Sequence, residues 1–153
     1  KEDAHARFDA LEREYEYFIS LQKNPFSNDF TYFIHHKPNI DLMNSAANVL
    51  LSYKDFQCFS RSNTDVKTYN CDVKEAYWKV ENSQLIFTIK ADRFLRNMVR
   101  AIVGTLLDIG FEKTSMLQFH EILKSKDRGK AGSSAPAKGL YLTKIVYPEQ
   151  LKN

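Results

Sequence analysis

Alternating polar and apolar positions predict a β-strand near the start of the chain. Within residues 13–19, bulky side chains alternate with two glutamates: Tyr15, Tyr17 and Ile19 on one side, and Glu14 and Glu16 on the other. A period of two is typical of a strand with one buried face. Two further β-rich runs, 74–80 and 84–91, flank the tripeptide Glu-Asn-Ser, which predicts a hairpin.

Helical spacing of apolar positions predicts three helices. The first covers "DLMNSAANVLLSY" (41–53), with Asn39 or Asp41 available as its N-cap. The second covers residues 93–110, with Gly110 as the residue that follows its last turn. The third is short and runs from Thr114 or Ser115 to about Lys124.

The order of these elements predicts the fold class. Residues 125–139 are rich in glycine, serine and lysine and predict a loop, and 140–148 predict a last strand that ends at Pro148. Strands and helices do not alternate regularly along the chain. We therefore predict an α+β fold with a mainly antiparallel sheet and helices packed on one face, forming a single domain over residues 1–153.

The segment "DRFLRNMVRAIVG" (92–104) places three arginines inside an apolar run. On a helix, Arg93, Arg96 and Arg100 would share one face, and the opposite face would carry Leu95, Met98, Val99, Ile102 and Leu106. A solvated helix face is one interpretation. The other is a cationic surface for an anion, because the planar guanidinium suits bidentate contact with phosphate or carboxylate.

The predicted loop adds more positive charge. Against the single Asp127, residues 124–138 contain five basic residues: Lys124, Lys126, Arg128, Lys130 and Lys138. A basic loop of this kind either contacts phosphates or is a solvated, mobile segment. The composition leaves both interpretations open.

Composition excludes several classes of protein. The chain is 43% hydrophobic and 27% charged, with a net charge of +3, which is typical of a globular protein with room for a polyanionic partner. No apolar run is long enough to span a membrane. The two cysteines, Cys58 and Cys71, and the scattered histidines have no metal-ligand spacing, and we expect reduced thiols in the cytoplasm and no metal site.

Four stretches, in this order, resemble the TruA-type tRNA pseudouridine synthases. "HARFDALEREYEYFI" (5–19) is similar to the His-Ala-Arg-Phe segment and Arg-x-Tyr-x-Tyr strand of that family. "AANVLLSYKDFQCF" (46–59) resembles its helix and Asp-Phe-x-x-Phe segment. "RFLRNMVRAIVGTLLDIG" (93–110) resembles its signature helix, and "ILKSKDRGKAGSSAPAKGLYL" (122–142) its Lys-Asp-Arg loop and last strand.

The resemblance implies an isomerase that converts uridine to pseudouridine in the anticodon stem-loop of tRNA, acting as a homodimer without cofactor or metal. The essential aspartate of the family lies in a Gly-Arg-Thr-Asp-Ala-Gly motif that this sequence does not contain. Asp127, in "KDRGKAG", belongs to the C-terminal loop and is not that aspartate. We therefore expect residues 1–153 to be the C-terminal domain, without the catalytic domain and inactive alone.

Three positions match residues of the family's active site. By resemblance, Tyr15 packs against the target base, Arg100 pairs with the catalytic aspartate, and Leu140 lines the base pocket. An arginine beside a carboxylate keeps that carboxylate ionised, which suits a nucleophile or a base. Without the resemblance, Tyr15 and Leu140 would be interpreted as ordinary strand residues.

The remaining basic residues predict contacts with the RNA backbone. These are Arg7, Arg93, Arg96, Lys124, Lys126, Arg128 and Lys130. A non-catalytic RNA-binding module, or a dimerisation domain with an incidental basic surface, is the alternative function. Two positions depart from the family pattern: Cys58, where serine is usual, and Cys71, where arginine is common.

Overall fold

The computed structural model describes residues 11–61 and 66–148, and this part of the chain forms a five-stranded sheet and three α-helices. In chain order these are β1 (Glu12–Ser20), β2 (Tyr32–Phe33), α1 (Ile40–Val49), β3 (Val73–Glu81), β4 (Gln84–Ala91), α2 (Met98–Gly110), α3 (Met116–Ser125) and β5 (Leu140–Val146). Single 3-10 turns at Gln57–Phe59, Arg128–Lys130 and Ala137–Gly139 connect them.

The strand β1 is the centre of the sheet. Along one edge it pairs antiparallel with β4, and along the other with β5 up to Tyr17. Beyond β5, the same edge pairs in parallel with β2 at Ile19 and Ser20. The sheet is therefore mainly antiparallel, as predicted, and β2 is a short parallel addition that the sequence pattern did not indicate.

The helices pack on one face of the sheet, as predicted. Tyr17, Ile19 and Phe87 point to this face and are fully buried in a single apolar cluster with the buried sides of α1, α2 and α3. On the other face of β1, Glu14 and Glu16 are partly exposed. The predicted alternation along β1 is confirmed.

Local capping fixes the ends of the predicted elements. The Asn39 side chain accepts a hydrogen bond from the Leu42 N–H at 3.1 Å and begins α1. Ser115 and Gln118 form a reciprocal capping box at the start of α3. The β3–β4 hairpin turns through Asn82 and Ser83, both with positive φ, so the prediction of a tight hairpin is confirmed.

The side chain of Asn44 on α1 forms hydrogen bonds with the backbone of β3 at the outer edge of the sheet. Its amide oxygen accepts the Trp78 N–H at 2.7 Å, and its amide nitrogen donates to the Trp78 carbonyl at 3.1 Å. Because β3 pairs only with β4 among the described strands, these backbone groups have no strand partner. The helix thus satisfies both of them with one side chain.

The predicted helix over residues 93–110 is wrong in its first turn. The helix α2 begins at Met98, because Asn97 adopts a left-handed conformation with φ of 68° that cannot continue a helix. Arg93 and Arg96 therefore precede the helix, and the three arginines do not share one helix face. Gly110 is the last residue of α2 rather than the residue after it; the positive φ that follows is at Glu112.

Across residues 11–61 and 66–148, each helix is too short or too polar to cross a lipid bilayer.

Candidate active site

A loop of residues 131–139 is bonded along the side of α2. The Gly132 N–H donates to the Thr105 hydroxyl at 2.9 Å, and the Asn97 amide donates to the Ser134 hydroxyl at 2.6 Å. Ala135 in the same loop is 4% exposed. This part of the predicted loop is therefore packed against the helix, and the interpretation of a freely solvated segment is wrong for it.

A glycine on α2 allows the loop to approach this closely. A Cβ atom at Gly104 would lie 1.7 Å from the Ser133 carbonyl oxygen, which is far inside van der Waals contact. A Cβ at Gly132 would lie 2.7 Å from a carboxylate oxygen of Asp108. The backbones of helix and loop meet because neither glycine has a side chain there.

Arg100 and Tyr17 hold two successive carbonyl groups of the loop. Arg100 Nε donates to the Ala135 carbonyl at 2.7 Å, while the Ala135 N–H donates to the Arg100 carbonyl at 2.9 Å. The Tyr17 hydroxyl donates to the Pro136 carbonyl at 2.5 Å. Within the described residues, no hydrogen bond or ion pair engages the two terminal amino groups of Arg100.

Tyr17 is a permanent donor in this arrangement. Burial raises the pKa of its phenol well above the ordinary value, and the nearby Tyr32 raises it further, while the neighbouring Arg100 opposes the shift. The hydroxyl therefore stays protonated at any physiological pH and donates a hydrogen bond to the Pro136 carbonyl.

Tyr17 is also the residue around which the three predicted site residues meet. Tyr15 lies on the same face of β1, two residues earlier, and Leu140 is the cross-strand partner of Tyr17 on β5. Arg100 is close enough to influence the Tyr17 phenol. The structure thus brings Tyr15, Arg100 and Leu140 to one region, and their roles there stay a prediction.

The edge of this region is apolar and open. Tyr15 contacts Phe94 edge-on, with ring centroids 5.0 Å apart. Its cross-strand partner is Leu142, whose side chain is 47% exposed on the same face. Tyr15 itself is only partly buried, so an aromatic ring and an aliphatic side chain are accessible to a planar ligand.

Sequence analysis missed the role of Tyr17. The signal was its position on the buried face of β1 beside Tyr15, but its bond partner lies 119 residues away. No local pattern indicates such a contact.

The predicted RNA-contacting arginines occupy different environments. Arg93 Nη1 donates to the Thr68 and Asn70 carbonyls, both at 3.1 Å, and Arg96 is exposed. Arg7 lies outside the described residues. The structure therefore places Arg93 beside Thr68 and Asn70, and the Arg96 carbonyl accepts the Arg61 N–H. The contact of both arginines with RNA stays a prediction.

The basic residues after α3 are partly bound within the chain. Arg128 donates to the Gly132 carbonyl and to the Ser134 hydroxyl, each at 2.9 Å. Lys126 lies 3.6 Å from an Asp55 carboxylate oxygen, while Lys124 and Lys130 are exposed. Arg128 thus helps to shape the loop, and the other three side chains project from the surface.

Asp127 has a structural role in the same segment. Its carboxylate oxygen accepts the Gly129 N–H at 2.9 Å and caps the 3-10 turn Arg128–Lys130. This contact accounts for the residue without any catalytic function.

Both cysteines lie in the core. Cys58 is 0% and Cys71 is 2% exposed, and burial raises the pKa of each thiol to about 12. The Cys71 sulfur contacts the Met98 sulfur at 3.8 Å. In the part of the chain that the structure describes, no three His, Cys, Asp or Glu side chains are grouped to hold a metal ion.

The residues described above lie in a sequence that is similar to known proteins over nearly its whole length. A family model described as tRNA pseudouridine synthase matches residues 46–148. The chain is 51% identical over 153 residues to the tRNA pseudouridine synthase A of Porphyromonas gingivalis, with 99% of this chain and 61% of the relative covered. It is 49% identical to the protein of that name from Bacteroides fragilis (99% and 60% covered).

A more distant relative gives the same result. The tRNA pseudouridine synthase A of Bacillus subtilis is 38% identical over 145 residues, covering 94% of this chain and 59% of the relative. The chain thus spans about 60% of the length of the curated relatives it matches. Since the family model matches most of the sequence, the chain belongs to the tRNA pseudouridine synthase family.

Proposed function

We propose that the full-length protein containing this chain isomerises uridine to pseudouridine in tRNA. The observation that carries the proposal is the state of Arg100, whose Nε is held by the Ala135 carbonyl while its terminal amino groups remain available. A guanidinium fixed in this way presents two parallel donors, which is the geometry that binds a carboxylate in bidentate fashion.

The division of roles follows from the chemistry. A catalytic aspartate, which the family resemblance predicts in a preceding domain, would pair with Arg100, and the positive charge would keep it ionised. Tyr15 and Leu140 would contact the two sides of the flipped-out uracil and replace the stacking that it loses. The bond between the ribose and a nitrogen of the base then breaks, and the base rotates. A bond between the ribose and a carbon of the base forms, with no atom gained or lost overall.

The finer features of the proposal come from the family resemblance. We propose the anticodon arm as the part of tRNA that is modified, a homodimer as the active species and the cytoplasm as its location. In this proposal residues 1–153 form a single C-terminal domain. Arg7, Arg93 and Arg96, together with the basic residues that follow α3, contact the RNA backbone.

The test compares the full-length gene product with a protein of residues 1–153 on the same tRNA transcripts. Pseudouridine is mapped position by position, with EDTA present because no metal is expected. The full-length protein should modify the anticodon arm, and residues 1–153, whose folding is verified by circular dichroism, should not. Asp127→Asn in the full-length protein should retain activity, because an asparagine oxygen can still accept the Gly129 N–H.

Each other outcome identifies an alternative. Pseudouridine formation by residues 1–153 alone would contradict the expectation that the catalytic aspartate lies outside these residues. Tight tRNA binding by the full-length protein without conversion would indicate a non-catalytic RNA-binding module, and negligible tRNA affinity would indicate a dimerisation domain. The mass of the protein in solution, measured by light scattering, tests the homodimer.

A further inference from the structure

A second concave site lies next to the candidate active site. It is a cavity of about 310 Å³ between the 3-10 turns Gln57–Phe59 and Arg128–Lys130, and Arg61, Tyr69 and Lys126 are among the residues that line it. This volume is at the lower end of the range of about 300–1,000 Å³ that small-molecule sites occupy. The cavity can therefore hold a group of about the size of one nucleotide.

Positive charge dominates the lining. In the described part of the chain, no hydrogen bond or ion pair engages the side chain of Arg61, which is exposed. Among the described residues, the acceptors of Arg128 are neutral, and no carboxylate forms an ion pair with it. Among the described residues, the acidic residue of the lining is Asp127, which caps its own turn, while Asp55 lies 3.6 Å from the Lys126 ammonium. Of the residues that the structure describes, three cations and one carboxylate therefore line the cavity.

Two more arginines adjoin the cavity, and both were predicted to lie on the helix instead. Arg93 Nη1 bonds the carbonyls of Thr68 and Asn70, the residues on either side of Tyr69. The Arg61 N–H donates to the Arg96 carbonyl at 3.1 Å. Their charges increase the positive potential around the cavity, which attracts a phosphate.

Tyr69 gives the cavity an aromatic wall. The Tyr69 carbonyl accepts the N–H of buried Phe56 at 3.0 Å, and its side chain packs partly against the core. Tyr69 is thus held by its backbone and partly packed against the core, and it lines the cavity. An aromatic residue beside cations is the combination with which proteins bind single-stranded nucleic acid.

The cavity is connected to the candidate active site by direct bonds. Arg128 donates to the Ser134 hydroxyl, which also accepts from Asn97, and the next residue, Ala135, is bonded to Arg100. Resting on the proposed function, we propose that this cavity binds one nucleotide of the tRNA other than the target uridine. Its phosphate contacts Arg61 and Lys126, and its base stacks on Tyr69.

The test measures the affinity of the full-length gene product for tRNA at several salt concentrations. Arg61→Ala should weaken binding and make the slope of log affinity against log salt shallower by about 0.7–0.9, the value for one lost phosphate contact. Lys37→Ala removes an exposed charge elsewhere and is the matched control. Its salt slope should equal that of the wild type.

The aromatic wall has its own pair of variants. Tyr69→Leu should weaken tRNA binding about 5-fold or more, and Tyr69→Phe, which keeps the aromatic ring, should bind like the wild type. Tyr77→Leu, at a tyrosine that is 41% exposed on β3, is the control and should leave affinity unchanged.

Wild-type affinity in both Arg61→Ala and Tyr69→Leu would overturn the proposal, as would an effect of Arg61→Ala no larger than that of Lys37→Ala. These results are distinct from failure of the proposed function. If the wild-type protein makes no pseudouridine, the proposed function fails, but the binding measurements still decide whether the cavity takes a nucleotide.

Discussion

Arg100 and Ala135 are bonded to each other twice, once through the side chain of Arg100 and once through its backbone carbonyl. The loop therefore cannot shift along α2 without breaking both bonds. Since Pro136 is in turn bonded to Tyr17, the helix, the loop and β1 are joined within two residues of the loop. These bonds fix the orientation of the Arg100 guanidinium, so the side chain is not free to change rotamer.

Replacing Arg100 with lysine should abolish most of the activity of the full-length protein. Lysine keeps the positive charge but has no Nε–H with which to hold the Ala135 carbonyl, and no planar fork for a carboxylate. We expect kcat to fall about 100-fold, as for misplaced catalytic groups in general. Arg96→Lys is the control, because that side chain is exposed and lysine keeps the positive charge proposed to contact RNA. Single-turnover kinetics in which both variants retain wild-type rates would refute the role assigned to Arg100.

Removing the hydroxyl of Tyr17 should loosen the loop. Tyr17→Phe fills the same space but leaves the Pro136 carbonyl without its donor, and we expect the free energy of unfolding to fall by about 1–2 kcal/mol. Urea denaturation measures this change. Tyr141→Phe is the control: it deletes a similar hydrogen bond, to the Phe30 carbonyl, at an exposed site and should lower the free energy of unfolding much less. Equal losses of stability in the two variants would contradict the importance of burial.

A methyl group at Gly104 should push the loop away from α2. Because its carbon would lie 1.7 Å from the Ser133 oxygen, Gly104→Ala should destabilise the protein by about 1–3 kcal/mol. Gly129→Ala is the control, since the nearest atom to a Cβ there is an Asp127 oxygen at 3.2 Å, and its effect should stay within about 0.5 kcal/mol. The measurement is thermal or urea unfolding of the two variants. Similar losses of stability in both would show that this close approach is unimportant.

Stability should fall as the pH rises above about 8.5, where thiols of the unfolded chain ionise. In the folded protein burial raises the pKa of Cys58 and of Cys71 to about 12, so between these values only the unfolded state loses the protons. Each thiol should then lower the free energy of unfolding by about 1.4 kcal/mol per pH unit.

The measurement for the thiols is urea unfolding between pH 8 and pH 10 with a reductant present. In the double variant Cys58→Ala and Cys71→Ala the decline with pH should be shallower, whatever the stability of that variant at pH 8. An unchanged slope would show that the thiols are accessible to solvent in the folded state.

Elements defined by local chemistry were predictable from the sequence. The N-cap at Asn39, the capping box at Ser115 and the turn at Asn82 each involve residues within four positions of one another. The strand β2 has two residues and a parallel partner, which is too short to produce a period. Its position depends on the edge of β1 that β5 leaves free.

The resemblance supplied candidate residues for the site, and their packing around Tyr17 could not be predicted from the sequence. Resemblance indicated Tyr15, Arg100 and Leu140, and the structure brings them together around Tyr17. The start of α2 could not be predicted, because the apolar spacing continues on both sides of Asn97 and only the backbone angle there makes the helix begin at Met98. That single residue decides that Arg93 faces the 66–70 segment rather than Arg100.

The side chain of Asn44 has a consequence beyond the fold of the single chain. An exposed strand edge is a template on which a strand from another molecule can add. At Trp78, in the middle of β3, the groups that would receive such a strand are already occupied by the Asn44 amide. Intermolecular growth of the sheet from this edge would first have to expel a helix side chain.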